Sequence, residues 1–600
     1  MKYVKSKKLA QIETDVLIVG SGPAGASAAL FLSNYGIKTT VITKYRWLAD
    51  TPRAHITNQR TMEILQDAGI LDEVLADSVP NYLIGNSILC ESLTGREIGR
   101  IKSWGAASSR ISEYKLNSPF EICDIPQNYL EPILISNAVK KGANVRFSTE
   151  FISLTQDDEN VYATIKDKIT DKKYLVKAKY LIGADGGRSC VANSIGLPMI
   201  GEMGLAGSIN ILFKADLTKH VAHRPSALFW MLNPEARIGG LGVGLLRMVR
   251  PWNEWLCVWS YDISHPKPEL TETEAIDVIH KILGESETSI NITSISTWSV
   301  NKAYADYYSS GRVFCVGDAV HRHPPNNGLG SNTSIQDSYN LAWKMAYVLK
   351  EIAGKRLLDT YSIERAPIGK AIVLRAIESI KETKELLSVI EPNGCSGKLD
   401  IDSLFDKSAT GTAVRDKLAL AIEKKNNEFN CLGIESNIAY QSAAVVNGVN
   451  VDFKIIDQIH SVFHSKIIAG ARIPHVWITK KGKEISTLDL IGKGKFTLLV
   501  GNACYDWAET AIKVASDLSI PLSCYRIGYY EEIQDIYFDL KNRIGFKESN
   551  FIIIRPDGHV AWFGELKDNP PEKINNVFKD ILQIEDCDDS NQNIDKKEVI

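Results

Sequence analysis

A short apolar run, Thr14–Val19 (TDVLIV), leads into the turn Gly20-Ser21-Gly22-Pro23-Ala24-Gly25. An Ala/Leu-rich stretch, Ala26–Tyr35, follows up to Gly36, and Lys38–Thr43 (KTTVIT) resumes a β-branched pattern. Strand, tight glycine turn, helix and strand in this order form a right-handed crossover unit, which points to a doubly wound α/β nucleotide-binding domain. Gly20, Gly22 and Gly25 let the backbone turn sharply and approach a pyrophosphate. The helix that opens there offers free N–H groups and a partial positive charge. The acid that would accept ribose hydroxyls at the end of the second strand is missing, because Thr43-Lys44-Tyr45-Arg46 stands there. Either Thr43 or Arg46 holds the ribose, or the basic residues read a 2′-phosphate.

Two further strands end in turns of the same kind. Tyr180–Ala184 runs into Asp185-Gly186-Gly187, and Arg312–Val316 into Gly317-Asp318, with a helical pattern over Ile335–Ile352. Between them, Gly196 to Val300 alternates apolar and polar residues and is rich in aromatics, including Phe229, Trp230, Trp252, Trp255 and Trp259. That stretch reads as an inserted, mostly-β substrate layer. Gly240-Leu241-Gly242-Val243-Gly244 lacks the spacing of a second dinucleotide fingerprint and reads as glycine within this layer. From Phe496 the pattern is strand, helix, strand, helix, strand, turn, strand, helix, a small α/β unit. The expected division is residues 12–195 and 300–387 for a discontinuous nucleotide domain and 196–299 for the β layer. Residues 388–470 form a linker and helical region, 471–584 the C-terminal domain and 585–600 a disordered tail.

Composition narrows the function classes. Lys+Arg 69 against Asp+Glu 72 leaves a net charge of −3 over 600 residues, no footprint for nucleic acid. No apolar run reaches the roughly 20 residues of a membrane span. Met1–Ala10 carries lysines without an apolar core behind them, so no secretory signal is expected. The 10 cysteines are scattered, with no Cys-x-x-Cys pair, against a zinc site or a dithiol. His321-x-His323 with Asp318 imitates a two-His-one-carboxylate iron site, but Pro324-Pro325 follow at once and the glycine turn would be left without a role. No metal is expected, and the default is a soluble cytoplasmic protein.

The glycine turn, the segment Gly183-Ala-Asp185-Gly186-Gly187-Arg188-Ser189, the segment from Gly317-Asp318 through His321, Pro324-Pro325, Gly328 and Gly330, and Tyr361-x-x-Glu364-Arg365-x-Pro367 occur in that order. Together they resemble the aromatic hydroxylase family of FAD monooxygenases, which includes para-hydroxybenzoate hydroxylase and phenol hydroxylase, over about Thr14 to Leu387. Long strings such as Thr43–Leu65, Met248–Leu256 and Gly317–Lys344 resemble the chlorophenol branch of that family. The C-terminal unit is similar to the thioredoxin-like domain appended to phenol hydroxylase, although Cys504 has no cysteine three residues away.

The resemblance implies FAD as cofactor and NAD(P)H as co-substrate docking transiently on the FAD domain. It implies a small phenolic substrate and O2, reacting through a flavin C4a-hydroperoxide to hydroxylate ortho to the ring hydroxyl, and a homodimer. Asp318 would accept from a ribose or ribitol hydroxyl, and Gly328 and Gly330 would let the backbone approach the isoalloxazine. Asp185 would order the loop near the pyrophosphate. Arg53 and Gln127 match cofactor-contacting positions. His55 falls where phenol hydroxylase carries its base, and an imidazole suits that task at neutral pH. Arg250 falls near that family's arginine beside the mobile flavin, and Pro325 on the oxygen side. Trp252, Trp255 and Trp259 either line an apolar pocket or pack as core. The alternatives are a polyketide-tailoring hydroxylase of the same fold, a flavin-binding protein without turnover, and an NADP-binding reductase.

Overall fold

The first strand, Ala10–Val19, runs parallel between Lys173–Gly183 and Thr39–Ile42. Val313–Cys315 extends the parallel set on one side and Asn144–Arg146 on the other. In this computed structural model, residues 10–232, 244–261, 263–264, 266–390, 401–446, 465–568 and 571–585 are described. Val16, Leu17 and Ile18 are completely buried, as befits a strand covered on both faces. The covering helices include Pro23–Asn34, which packs against Gly330–Leu349 and Gln127–Lys140. An antiparallel extension, Thr149–Gln156 with Val161–Asp167, completes an eight-stranded sheet.

The second sheet is the inserted layer. Its strands run in the order His321–Arg322, Asn291–Ala305, Met199–Lys214, Glu254–Tyr261, Gly244–Arg250, Leu228–Met231, Asn86–Cys90, Glu97–Lys102. The last two come from within the stretch expected to belong wholly to the nucleotide domain. They join through a parallel pairing of Asn86–Cys90 with Leu228–Met231, a non-local contact that leaves no hairpin signature in the sequence. One face of this sheet is core: Phe213, Phe229, Met248 and Trp255 pack there against Ile279 and Ile282 of the helix Glu272–Leu283. Gly244 lies in that sheet. Gly240 and Gly242 fall outside the described residues, as do residues 391–400 and 447–464 of the linker region and 586–600 of the tail.

The C-terminal unit is a seven-stranded sheet. Phe496–Gly501, the helix Tyr505–Asp517 and Leu522–Ile527 form a parallel crossover. The hairpin Asn550–Ile554 and Val560–Glu565 then leads to the helix Ile574–Leu582. This order matches the sequence pattern, except that the middle helix is only the short turn Asp539–Asn542.

A buried ionic network fixes this unit to the first domain. Glu364 accepts from Arg555 Nη1 and Nη2 at 2.6 and 2.9 Å and from Lys344 Nζ at 2.7 Å. Arg555 Nη2 also meets Asp557 Oδ2 at 2.5 Å, and Trp343 Nε1 donates to the same oxygen at 3.1 Å. Nearby, Arg472 pairs with Glu63, which also accepts from Arg60 Nη1 at 3.0 Å. Burial opposes the charge on Glu364, but Arg555 and Lys344 hold its carboxyl far below the usual range. Removing one member would strand the others without water. Arg555→Met is therefore expected to lower stability by about 3–5 kcal/mol, read from urea unfolding of the holoprotein. A loss below 1 kcal/mol would show that the interface relaxes to readmit water.

Candidate active site

The strands that carry the three turns are aligned at their C-terminal ends: Val19 pairs with Gly183, and Gly183 with Cys315. Backbone bonds continue the alignment. Ala184 N donates to Val19 O at 2.8 Å, Val316 N to Gly183 O at 3.0 Å and Gly20 N to Ile42 O at 2.8 Å. The Gly20, Asp185 and Asp318 turns thus emerge side by side on one sheet edge, where ligands bind in folds of this type. Glycine is required at two of these points. A Cβ on Gly20, at φ +111°, would stand 2.2 Å from Ala184 O; one on Gly317, at φ +63°, would stand 2.6 Å from Ser334 Oγ and 3.1 Å from Ala24 Cβ. Gly317 is therefore seated directly on the first helix turn.

Two helices open at this edge with their N-terminal N–H groups uncapped. Neither Pro23–Asn34 nor Gly330–Leu349 has a side-chain cap or an acid in its first turn. Both therefore present a positive end toward a ligand. Asp185 orders its own loop, accepting from Ser189 Oγ at 2.5 Å, Cys190 N at 2.7 Å and Val191 N at 3.2 Å. Asp318 is exposed at the edge. Arg322 lies between the two acid turns: its Nε donates to Asp318 O at 3.1 Å, and its Cδ would be 3.6 Å from a Cβ on Gly187. Gln127 N donates to Arg53 O at 2.8 Å, and Gln127 Nε2 to Glu131 Oε1 at 2.5 Å. Glu131 also accepts from Ala49 N at 2.8 Å, and its Oε1 lies 3.8 Å from where a Gly22 Cβ would be. Burial pushes its carboxyl up. The sequence reading missed Glu131; it lies one helical turn after Gln127, the spacing at which two side chains meet. Thr43 is buried with its backbone in the sheet, whereas Lys44 and Arg46 are exposed. An uncapped pair of helix ends, glycine-lined turns and an exposed acid fit a dinucleotide flavin.

The Gly328–Gly330 turn is tied to the His55 segment. Asn332 Nδ2 donates to Ile56 O at 2.8 Å and Gly328 O at 2.7 Å, while Asn58 N donates to Asn332 Oδ1 at 3.0 Å. Gly328 has φ +65°, and a Cβ there would lie 3.1 Å from Ile56 Cβ. Pro325 opens this turn and is exposed, and His323 sits against Gly330. His55 is buried, with Nδ1 3.2 Å from Asp124 Oδ1 and with Nε2 left without a protein partner. Asp124 is fully buried and its other oxygen accepts from Arg247 Nη2 at 2.5 Å. Burial, then the guanidinium of Arg247, pushes the imidazole down to about 4, against the pull of Asp124.

Neither Asp124 nor Arg247 was apparent from the sequence, where 69 and 123 residues separate the partners. Arg250, on the same strand, stacks its guanidinium 3.7 Å from the Tyr129 ring centroid and donates to Asp77 O at 2.5 Å. Arg247 is the residue that meets the partner of His55. Trp252 and Trp255 belong to the core on the opposite face of the sheet, where Trp255 lies 6.3 Å from Phe229. The side chain of Trp259 lies outside the described residues. On the Arg247 face, strand alternation places Leu228 and Trp230. A narrow, mostly apolar crevice lies there, lined by Leu89, Trp230, Leu386 and Phe429 together with Thr383 and Lys425. His321 is committed elsewhere: its Nε2 is 2.8 Å from Asp337 Oδ2, and Arg365 Nε meets Asp337 Oδ1 at 2.8 Å. Among the described residues no group of three His, Cys, Asp or Glu could hold a metal ion.

Comparison with known proteins agrees with this geometry. A family described as FAD binding domain matches residues 13–376, and one described as aromatic-ring hydroxylase, C-terminal, matches residues 466–583. The chain belongs to the FAD-dependent aromatic-ring hydroxylases, and FAD is the cofactor of that fold. It is 46% identical over 565 residues to 2,4-dichlorophenol 6-monooxygenase of Delftia acidovorans, covering 93% of this chain and 96% of the relative. It is 45% identical over 570 residues to phenol 2-monooxygenase of Pseudomonas sp. (strain EST1001), covering 94% and 91%. Among solved structures it resembles the flavin-dependent monooxygenase PieE, in complex with FAD and substrate, with TM-score 0.90 and 36% identity over 95% of this chain and 99% of that one. Among the described residues no helix is long and apolar enough to cross a membrane.

Loss of one charged acceptor at a cofactor hydroxyl removes about 1.5–3 kcal/mol. Asp318→Ala is therefore expected to weaken FAD binding by about tenfold to a hundredfold, read by fluorescence of released flavin. Full retention of FAD under dilution would displace Asp318 from the cofactor site.

Proposed function

We propose that the chain hydroxylates a small phenol, halogenated or alkylated, at the carbon ortho to its hydroxyl. NAD(P)H would be the reductant and O2 the oxygen source. The observation that carries this is a buried imidazole with an unpartnered Nε2 beside the Gly328–Gly330 turn, where the first domain meets the inserted sheet. The named relatives are a 2,4-dichlorophenol 6-monooxygenase and a phenol 2-monooxygenase. FAD, when bound, supplies two-electron reduction and the activation of O2 to an electrophilic oxygen.

The protein's part is to bind, orient and deprotonate. A phenol has an ordinary pKa of about 10, and its ring is far more nucleophilic as phenolate. His55 is the base: depressed to about 4 it is neutral at pH 7 with Nε2 free, and because that depression weakens it as a base, the transfer relies on the phenolate formed beside it to pull its basicity back up. Gly328 and Gly330 give the flavin ring close backbone contact, and Pro325 shields the oxygen side from water. Arg53, Gln127 and Thr43 would hold the cofactor's polar parts, with Arg46 at the adenosine end. Arg250, held against Tyr129, would stand beside the mobile part of the flavin.

With no second glycine fingerprint in the sequence, NAD(P)H would dock on the FAD domain. We read residues 471–584 as a thioredoxin-like domain in a packing role. Cys504 is buried there, and burial raises its thiol to about 11, too high for dithiol exchange. A cytoplasmic homodimer completes the proposal.

The test is a panel of substituted phenols scored for both coenzyme consumption and hydroxylated product. Matched stoichiometry with small phenols supports the proposal. Coenzyme consumption without any ring product would reject it. Within that assay, His55→Ala is expected to lower hydroxylation at neutral pH by about a hundredfold or more. Activity should recover as pH rises toward the phenol's own pKa, because hydroxide then does the work of the base. An equal deficit at every pH would remove His55 from that role.

A further inference from the structure

We propose that Glu131 couples cofactor binding to a proton: its carboxyl is neutral when FAD is held and donates to the cofactor's diphosphate, so that FAD binding takes up one hydrogen ion from water.

Glu131 lies on the helix Gln127–Lys140 and is 2% exposed. Its two oxygens have separate tasks. Oε2 accepts from Ala49 N at 2.8 Å, which ties down the segment after the second strand. Oε1 accepts from Gln127 Nε2 and lies 3.8 Å from the point where a Cβ on Gly22 would stand. Gly22 directly precedes the helix Pro23–Asn34, at the turn where this fold seats a dinucleotide's diphosphate. A buried acid thus stands against an anion site.

Elsewhere in the first domain, buried carboxylates meet cations. Glu63 pairs with Arg60 and Arg472, Asp337 with Arg365, and Glu364 with Lys344 and Arg555. The hydrogen-bond partners of Glu131 are instead neutral, a backbone amide and a carboxamide. The charged group that faces it is Arg53, which is exposed, so water weakens the attraction. Burial outweighs these contacts and pushes the Glu131 carboxyl up. A diphosphate adds negative charge, and a like charge disfavours ionisation of a neighbouring acid still more.

Phosphate oxygens and an ionised carboxylate are both acceptors and have nothing to share. A protonated carboxyl carries an O–H donor. The hydrogen belongs on Oε1, since Oε2 is taken by Ala49 N and Oε1 is the oxygen nearer the turn. Oε1 keeps a lone pair for Gln127, and no other bond is made or broken. An acid that holds its proton more firmly with FAD bound than without it makes binding strongest at low pH. Binding then weakens as pH rises through the carboxyl's titration.

The experiment measures Kd for FAD from the fluorescence of flavin released on diluting the holoenzyme, between about pH 5.5 and about pH 8.5 at fixed ionic strength. In the native enzyme Kd should rise by about threefold or more per pH unit over part of that range, one proton permitting at most about tenfold. Glu131→Gln keeps an acceptor for Ala49 N, offers an N–H in place of the acid hydrogen and is neutral at every pH. Its profile should be flat, with Kd within about threefold of native at the acid end and about fivefold or more below native at the alkaline end. Should this variant fail to fold, Glu131→Met, likewise neutral, carries the same expectation of a flat profile. A flat profile in the native enzyme would overturn the proposal. So would a neutral variant that keeps the native slope, the result expected of a carboxyl that only braces the loop.

Discussion

The register of three parallel strands is the constraint on which the molecule depends. Val19, Gly183 and Cys315 lie side by side, so turns separated by more than a hundred residues of sequence leave the sheet at one edge. A one-residue slip in any of these strands would turn its side chains to the opposite face and move its turn out of line. The register is enforced by complete burial of the flanking apolar residues and by close contacts that only glycine permits. Everything at the ligand edge, including two uncapped helix ends and two acid turns, inherits its placement from this alignment.

The second sheet then brings what the first cannot supply. Its Arg247 reaches across to Asp124 in the first domain, and its Trp230 packs among apolar residues on the same face. His55 sits where the two layers meet. The Tyr361–Pro367 segment has a related bridging role. Glu364 ties the C-terminal unit to the first domain, and the adjacent Arg365 holds Asp337, which in turn accepts from Gly317 N at 3.1 Å, in the third turn. One short segment thus links the edge where the three turns emerge to the C-terminal unit.

Much of this was legible in the chain. The glycine turn, the Asp185 and Asp318 turns and the Gly328–Gly330 segment each sit after a strand or before a helix, and local patterns of that kind survive in a single sequence. What escaped was non-local. Asp124 and Arg247 are ordinary residues until folding sets Asp124 between His55 and Arg247. Asn86–Cys90 and Glu97–Lys102 looked like part of the first domain because a parallel pairing has no turn to announce it. The tryptophans illustrate the same limit: the sequence left Trp252, Trp255 and Trp259 as pocket or core, and only the strand pairing puts Trp255 in the core and Trp230 on the other face.

The molecule stands or falls as a hydroxylase on whether a flavin held at the sheet edge passes oxygen from O2 to a phenol rather than losing it to water. The most direct measurement is turnover of a simple phenol under isotope-labelled O2, with mass analysis of the product. The account predicts one labelled oxygen in the new ortho hydroxyl for each NAD(P)H consumed, and none from labelled water. Unlabelled product, or coenzyme oxidation that yields only peroxide with every phenol tried, would contradict it.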